Sequence, residues 1–420
     1  MSQPATKTVV TLAIVPMQVA LAFSLCFFLG WRIVGHGMSD FFGADAPAKA
    51  IEWDEYSPEA QLSLVREKLK AGDPSNVRLA AEISARLVGV DPFAPGALSS
   101  YGLAVSQAGD LSRAQSIMSL AAKLNPIDLA SHLWLYDDAL KSRSLSIALR
   151  EMDFLLRGRL SMLEIVGPST ISLLRLGAEA RESLVRMLAT APPWRRELIG
   201  YLCRTSKDNT ILIDLFGRLN ISRTPPTRDE WSFLLKKLID DKHFSAAYIS
   251  WLGSLPPDQF KNDELLYNGR FQHELTNLPF DWQVIPSKAV SIDVIRSING
   301  SHLKVEFFGA RVPFANIQHL LLLEPGKYAF SGRLKVENFR SERGLRWRIA
   351  CADNSGRDLG VAKLSKGSAA SENIAVEFSV PDRDCSAQKL ILEIPARVPD
   401  EMIAQGVAFY SDLSISKKNQ

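Results

Sequence analysis

The sequence predicts a multidomain protein in which α-helical parts are followed by a β-sheet part. Three observations predict this: an uncharged apolar stretch near the N-terminus, a helical pattern that repeats about every 34 residues, and a change to alternating apolar residues after Leu265. They indicate a transmembrane helix, a solenoid of helical hairpins and a C-terminal antiparallel β-sandwich. A chain of 420 residues is long for one core, in keeping with several domains.

The composition is that of folded protein. Hydrophobic residues make up 46% and charged residues 23% of the chain, which argues against long disordered segments. The net charge of +3 is small and the charges are dispersed. Dispersed charges fit a solvated surface better than a phosphate-tracking groove, so no nucleic acid partner is expected.

The apolar stretch from Thr8 to Ile33 has no charge until Arg32. About 20 apolar residues at 1.5 Å each span the hydrocarbon core of a bilayer, and Trp31 with Arg32 suits the interface. The alternative is a cleaved signal peptide, with an apolar region of about 7 to 15 residues directly before a small-x-small site. The nearest such site, Ala44 to Ala46, lies well past the apolar stretch. We therefore predict a membrane helix at 8–33 after a short cytoplasmic tail.

The orientation of this helix depends on very few charges. Lys7 on one side is matched by Arg32 on the other, and the N-terminal amine favours an inside N-terminus. This predicts a single-pass protein of the bacterial inner membrane with the bulk of the chain in the periplasm.

The clearest helical hairpin runs from Pro95 to Pro126. Gly102 in its first helix and Ala114 in its second are small enough for a close helix crossing, and Pro126 ends the second helix. The other positions that fit the hairpin pattern are Leu98, Tyr101, Val105, Met118 and Ala121.

Small residues recur at the same position of neighbouring hairpins. Steps of about 34 residues from Ala114 reach Ala80 and Ala148. The pattern resembles the tetratricopeptide repeat family. The resemblance implies an α-solenoid at 58–257, after a linker at 34–57, with a surface that holds a protein partner.

Isolated polar and aromatic residues of the helical part are expected to be structural. His132 and His243 are each alone, and a lone helical histidine is more often a hydrogen-bonded residue than an acid–base group. Trp134 and Tyr136 are expected to pack between hairpins.

The C-terminal part alternates with the period of β-strands. Many short strands without intervening helices predict a sandwich, most simply a jelly roll. The candidate strands are Asp281 to Ile285, Val290 to Arg296, His302 to Phe308, Ile317 to Leu323, Lys327 to Val336, Leu345 to Ala352, Ile374 to Val380, Lys389 to Ile394 and Val407 to Ser416.

Three short stretches suggest a family for this sandwich: Asn268 to Phe271, Pro279 to Trp282, and Glu324 to Tyr328. They resemble carbohydrate-binding, galactose-binding-like jelly rolls, and the resemblance covers residues 266–418. With a membrane helix and tetratricopeptide-like helices, the whole is similar to accessory proteins of bacterial exopolysaccharide or O-antigen assembly. The resemblance implies a glycan-binding domain.

The candidate cationic residues for glycan binding are those predicted to lie on one face of the sheet, since successive side chains of a strand point to opposite faces. If the strands at 327–336 and 345–352 pair, their cations form one basic patch, joined by Lys304, that suits an acidic polysaccharide. The alternative is a solvated face balanced by acids. Trp347 is expected in the core. The candidates are Arg333, Lys335, Arg346, Arg348, Trp282 and Tyr328, the last two with a structural role as the alternative.

The chain has four cysteines and no pattern typical of a catalytic or metal site. Cys351 and Cys385 are expected either to pair in an oxidising compartment or to be buried thiols. No nucleophile elbow, phosphate loop or zinc motif occurs, so we expect no catalytic residue, metal or cofactor. Two alternatives stay open: a protein–protein scaffold without sugar binding, and a glycan-modifying enzyme that uses carboxylates such as Asp281, Asp353, Glu377 or Glu393.

Overall fold

The computed structural model describes residues 7–43, 45–259, 264–298, 300–352 and 356–418. The chain divides into two compact units, with the boundary between Met162 and Leu163. The first unit is helical, and the second contains further helices followed by the β-sandwich. The predicted combination of helices and an antiparallel sandwich is confirmed.

The first unit contains eight α-helices within its described residues. They are α1 (Lys7–Phe42), α2 (Pro47–Trp53), α3 (Pro58–Ala71), α4 (Pro74–Val90), α5 (Ala97–Gln107), α6 (Leu111–Leu124), α7 (Leu129–Lys141) and α8 (Leu145–Gly158). Helix α3 begins as the sequence predicts, with the Ser57 hydroxyl accepting a hydrogen bond from the amide of Ala60 and proline at the first helical position.

Helix α1 contains a segment, Val19–Phe42, that is long and apolar enough to cross a membrane. The predicted linker at 34–57 contains the end of α1 and the short helix α2. Asp54 is buried and lies 2.6 Å from Nδ1 of His36 on α1. A Cβ atom at Gly35 would lie 2.9 Å from the carbonyl oxygen of Trp53, so glycine allows α2 to approach α1. The contact of Asp54 with His36 and this close approach pack α2 against α1.

The helical hairpins of the first unit are α3 with α4, α5 with α6, and α7 with α8. A Cβ atom at Gly102 would lie 2.9 Å from Sδ of Met118, so the predicted close crossing is present. Ala80, Ala114 and Ala148 are all buried at their equivalent positions.

The helices of the second unit precede the sandwich. They are α9 (Leu163–Arg175), α10 (Ala178–Leu188), α11 (Arg195–Thr205), α12 (Asn209–Asn220), α13 (Arg228–Asp240) and α14 (Phe244–Ser254). Helix α14 packs against the start of the β region, because the ring of Trp251 lies 5.0 Å from that of Tyr267 and 5.7 Å from that of Phe280.

The sandwich consists of two five-stranded antiparallel sheets. We call them sheet A, in the order β1-β4-β9-β6-β7, and sheet B, in the order β2-β3-β10-β5-β8. The strands are β1 (Gln283–Val284), β2 (Val290–Ser297), β3 (Gly300–Arg311), β4 (Ile317–Leu321), β5 (Gly326–Ser341), β6 (Arg346–Cys351), β7 (Asp358–Val361), β8 (Gly367–Val380), β9 (Gln388–Glu393) and β10 (Ile403–Lys417). The sequence pattern misses β7 because it is four residues long and carries Gly360.

Aromatic side chains fill the space between the sheets. The Trp347 ring lies 5.7 Å from the rings of Trp282 and Phe330 and 5.4 Å from that of Tyr410. Trp347 is therefore a core residue, as predicted.

The stretch from Asn268 to Phe271 has a structural role. The side-chain amide of Asn268 donates to the backbone carbonyl oxygen of His273 and accepts from the backbone N–H of His273. The backbone carbonyl oxygen of Asn268 accepts a hydrogen bond from Nε1 of Trp282. Phe271 is buried against Trp282. Gly269 passes so close to β10 that an added Cβ would lie 2.0 Å from the carbonyl oxygen of Leu413.

Replacing Gly269 with alanine is expected to destabilise the sandwich by about 3 kcal/mol, because the backbone of Leu413 must move to admit the methyl group. Chemical unfolding of the full chain, followed by the protection of sandwich amides from hydrogen exchange, measures the loss. Gly253→Ala is the matched control, since no atom lies within 4 Å of its Cβ position in α14. Equal stability of the two variants would contradict the close contact.

His319 on β4 is expected to make the sandwich less stable as the pH falls. Burial lowers its pKa from 6.5 to about 4, against the opposing effect of Asp281 and two carbonyl groups. The unfolded chain therefore binds the proton first, and this stability, present above about pH 6.5, is lost towards pH 4. Between pH 7 and pH 5 the loss is about 2 kcal/mol.

Amide hydrogen exchange in β4 and β9, corrected for intrinsic rates, measures this pH dependence. The His319→Gln variant should lose that part of the slope, because glutamine does not titrate. A slope that is unchanged in this variant would contradict the assignment.

Candidate glycan-binding surface

The predicted basic patch is wrong, because its four cations lie on two different sheets. β5, which carries Arg333 and Lys335, pairs with β10 and β8 in sheet B. β6, which carries Arg346 and Arg348, pairs with β9 and β7 in sheet A. The predicted strand at 345–352 follows the one at 327–336 in the sequence but belongs to the opposite sheet. The alternation of side chains along a strand does not show which sheet the strand joins.

The two aromatic candidates, Trp282 and Tyr328, lie in the core. Trp282 packs among Phe271, His319 and Trp347, and the Tyr328 hydroxyl donates a hydrogen bond to the carbonyl oxygen of Glu324. Both side chains are buried and have no face to offer a sugar. Their structural role, the alternative at the sequence level, is the one that the structure supports.

The cations of sheet A are bound to acids. Arg346 and Arg348 both donate to the carboxylate of Glu393, at 2.8 Å for the shortest contact of each. Arg348 also bonds Asp358 at 3.0 Å. Burial alone would lower the pKa of Arg348, but these two acids raise it. This face holds β6, β7 and β9 together, and its guanidinium groups are already occupied.

The exposed face of sheet B carries an aromatic ring between two lysines. Phe409 on the central strand β10 is directly opposite Lys304 on β3 and Lys335 on β5. Its neighbours Ala408 and Tyr410 point into the core, so Phe409 points outward. Nζ of Lys335 lies 5.5 Å from the centre of the Phe409 ring. We call this row the Phe409 platform.

The next rows of the same face alternate acids and a second aromatic ring. Val407 is opposite Glu306 and Glu337, and Gln405 is opposite Phe308. The Phe308 side chain is exposed. Four residues along a strand place the rows of Phe308 and Phe409 roughly 13 Å apart. The sequence pattern does not indicate Phe409, because Val407, Ala408, Phe409 and Tyr410 are all apolar and no alternation marks the outward side of the strand.

The cations closest to Phe409 on this face have acidic partners. Lys304 lies 2.5 Å from Glu306, and Lys335 lies 2.6 Å from Glu337. Arg333 pairs with Asp412. The part of the face around Phe409 is therefore rich in hydrogen-bonding groups and balanced in charge, whereas Arg340, exposed opposite Gln405, has no acidic partner among the described residues.

Cys351 and Cys385 form a disulfide, with Cα atoms 5.1 Å apart. It links the end of β6 to the segment before β9 in sheet A. Among the described residues, no group of three or more His, Cys, Asp or Glu side chains could hold a metal ion.

The carboxylates considered for catalysis are engaged in structural contacts where they are described. Asp281 is buried and accepts hydrogen bonds from Thr276 and from the amide of Trp282. Glu393 binds the two arginines of sheet A, and Glu377 pairs with Lys418, which lowers its pKa. Asp353 lies outside the described residues. The expectation that the protein is not an enzyme stays a prediction.

A buried arginine shapes a cleft between α10 and the loop after α12. Arg195 donates to the carboxylate of Glu230, at 2.9 Å for each of two contacts, and to the carbonyl oxygens of Leu188, Thr224 and Pro225. These bonds fix the loop beside a cleft of about 800 Å³. The cleft is lined by Arg186, Arg218, Arg223, Thr190, Ser222 and Thr224.

No protein-family model and no curated protein matches the chain. The sandwich is similar to solved carbohydrate-binding modules. One, described as CBM4, is 13% identical and covers 36% of this chain and 99% of its own, with a TM-score of 0.29. Another, TmCBM61 in complex with β-1,4-galactotriose, is 16% identical and covers 37% of this chain and 100% of its own, with a TM-score of 0.25.

The helical part is similar to a tetratricopeptide repeat protein from Parabacteroides merdae. That structure is 9% identical and covers 53% of this chain and 91% of its own, with a TM-score of 0.26. At such identities and TM-scores none of these likenesses carries an argument about function.

Proposed function

We propose that the protein is a non-catalytic accessory factor of bacterial polysaccharide biosynthesis or export, which binds glycan on the exposed face of sheet B and a protein partner on its helical hairpins. The observation that carries the glycan half is the Phe409 platform. A half-buried aromatic ring on the outer face of the sheet lies on its central strand and has a lysine on each side.

The chemistry of this platform suits a sugar ring. A pyranose presents an apolar face of C–H groups, which stacks on an aromatic ring, and a rim of hydroxyls that both donate and accept hydrogen bonds. Lys304 and Lys335 supply donors beside Phe409, and Glu306 and Glu337 supply acceptors in the next row. Ligand sites of this kind combine apolar surface with a few convergent polar groups.

The charge balance of the face bears on the class of glycan. Around Phe409, Lys304, Lys335 and Arg333 are matched by Glu306, Glu337 and Asp412, so a highly charged acidic polysaccharide gains little net attraction from these rows. We therefore favour a hydroxyl-rich, weakly charged glycan over the acidic polysaccharide expected from the sequence.

Replacing Phe409 with alanine is expected to weaken glycan binding about tenfold or more, because the stacking surface is lost. The measurement is binding of the full-length chain in lipid nanodiscs to panels of immobilised neutral and acidic polysaccharides. Phe409→Trp should retain binding, since it keeps a ring on the platform. Phe93→Ala removes an exposed phenylalanine of the first unit and is the matched control. Binding that survives in Phe409→Ala would contradict this site.

The anchor proposed here is the apolar segment of α1. A helix of this length and composition, with few buried side chains, fits a bilayer better than a protein core. The charge count around it favours a cytoplasmic N-terminal side and a periplasmic bulk.

A C-terminal reporter fusion tests this orientation in a bacterial host. Alkaline phosphatase, active only after export, should be active at the C-terminus, and the protein should stay in the membrane fraction after a carbonate wash. The Val19→Arg/Leu25→Arg variant puts charges into the apolar segment and should abolish both results. A reporter that is active only in the cytosol would refute the periplasmic setting.

The protein-binding half rests on exposed apolar residues at one type of position. Phe93, Ile127 and Leu160 each follow the second helix of a hairpin, and their side chains are 72%, 90% and 50% exposed. Large apolar groups that recur at exposed positions mark interaction surfaces more often than single ones do. This observation also favours the second candidate function, a scaffold that binds proteins without binding sugar.

A further inference from the structure

The third hairpin departs from the second at three equivalent positions. Steps of about 34 residues lead from Leu98 to His132, from Ile117 to Glu151 and from Leu120 to Phe154. Two aliphatic residues that pack in one hairpin are thus replaced by a histidine and a glutamate in the next. This exchange sets the third hairpin apart within an otherwise matching pattern.

His132 and Glu151 form a buried pair. Nδ1 of His132 lies 2.6 Å from Oε2 of Glu151, and the Phe154 ring stacks on the imidazole at 3.9 Å. Arg150 donates twice to Oε1 of Glu151, at 3.0 and 2.8 Å. Burial would raise the pKa of Glu151, but hydrogen bonds from His132 and Arg150 lower it overall, so this carboxylate is ionised near neutral pH.

The arrangement leaves one ring atom without a partner. Nε2 of His132 is buried and has no hydrogen bond within the part of the chain that the structure describes. In the neutral tautomer that donates Nδ1–H to Glu151, Nε2 carries a lone pair that can accept a hydrogen bond.

Stability alone does not account for this pair. A buried pair is typically no better than well-packed apolar residues, and an unpaired buried polar atom costs about 1 to 3 kcal/mol. The buried Leu98 and the half-buried Ile117 show that apolar residues fit the equivalent positions of the second hairpin. The exchange to His132 and Glu151 therefore calls for a ligand that bonds Nε2.

A cavity lies beside His132. Its volume is about 490 Å³, against about 30 Å³ for the equivalent space in the second hairpin. Its walls are mostly apolar, its rim includes the exposed Ile127, and Arg157 and Arg159 lie at the end of α8. Leu98 and Phe93 line the small space, whereas His132 and Ile127 line the large one.

We propose that this cavity binds the tyrosine side chain of a polypeptide partner, an inference that rests on the proposed protein-binding role of the hairpins. The ring packs on Phe154 and the apolar wall, and the phenol O–H donates to Nε2 of His132. The backbone of the partner covers the side chain of Ile127. A free phenol has no backbone and would leave this side chain exposed. Arg159, which has no acidic partner among the described residues, attracts acidic residues beside that tyrosine.

The test compares three probes on the full-length chain in nanodiscs: the peptide Ac-Glu-Tyr-Glu-NH2, the same peptide with phenylalanine, and p-cresol. The tyrosine peptide should bind at least about tenfold tighter than the other two, because only it offers both the hydroxyl and the backbone. Binding is followed by NMR of ¹⁵N-labelled histidine, in which the Nε2 signal of His132 should shift with the tyrosine peptide and stay in place with the phenylalanine peptide.

The matched variant is His132→Leu/Glu151→Ile, which restores the residues of the second hairpin. It should remain folded and lose the preference for tyrosine. Equal binding of the two peptides would overturn the proposal, as would equal binding of p-cresol, which would mark a small-molecule site. A chain that binds a protein partner but none of the probes refutes this site alone, whereas a chain that binds no partner refutes the proposed scaffold role as well.

Discussion

The pairing of β10 with both β3 and β5 is the constraint on which the sandwich depends. β10 is the last strand in the sequence, yet it occupies the centre of sheet B. Its inward residues Ala408 and Tyr410 complete the core, and the close passage of Gly269 joins its far end to the stretch before the first strand. Strand parity then places Phe409 outward between two lysines. The Phe409 platform is therefore a consequence of core formation and is held rigidly by it.

The sequence predicted the elements better than their arrangement. Ser57 with Pro58, Gly102 with Ala114, and the alternation in β5 and β6 are local signals, and each appears in the structure as expected. The placement of β5 and β6 on opposite sheets depends on long-range pairing, which strand parity does not encode. For the same reason Arg346 and Arg348 could not be separated from Arg333 and Lys335 on sequence grounds.

Two buried hydrogen-bonded pairs of the helical part, Arg195 with Glu230 and His132 with Glu151, differ in whether all their polar atoms have a partner. All the donor groups of Arg195 reach oxygen atoms, on Glu230 and on three carbonyl groups, so that this pair is complete without a ligand. It fixes the loop before α13, and the capping box of Glu230 with Thr227 depends on it. The pair of His132 and Glu151 is incomplete, because Nε2 has no such partner.

Internal repeats make this difference interpretable. In a solenoid, equivalent positions of neighbouring hairpins face similar surroundings, so one hairpin is a physical reference for the next. Against that reference, Leu98 to His132 and Ile117 to Glu151 exchange apolar packing for buried charge, with a larger cavity at the same place. A lone histidine in a sequence gives no evidence of a binding site. A histidine that replaces the leucine of a neighbouring repeat and keeps a nitrogen without a hydrogen bond does give such evidence. The repeat spacing in the sequence already aligns His132 with Leu98 and Glu151 with Ile117. Only the structure shows that His132 and Glu151 contact each other.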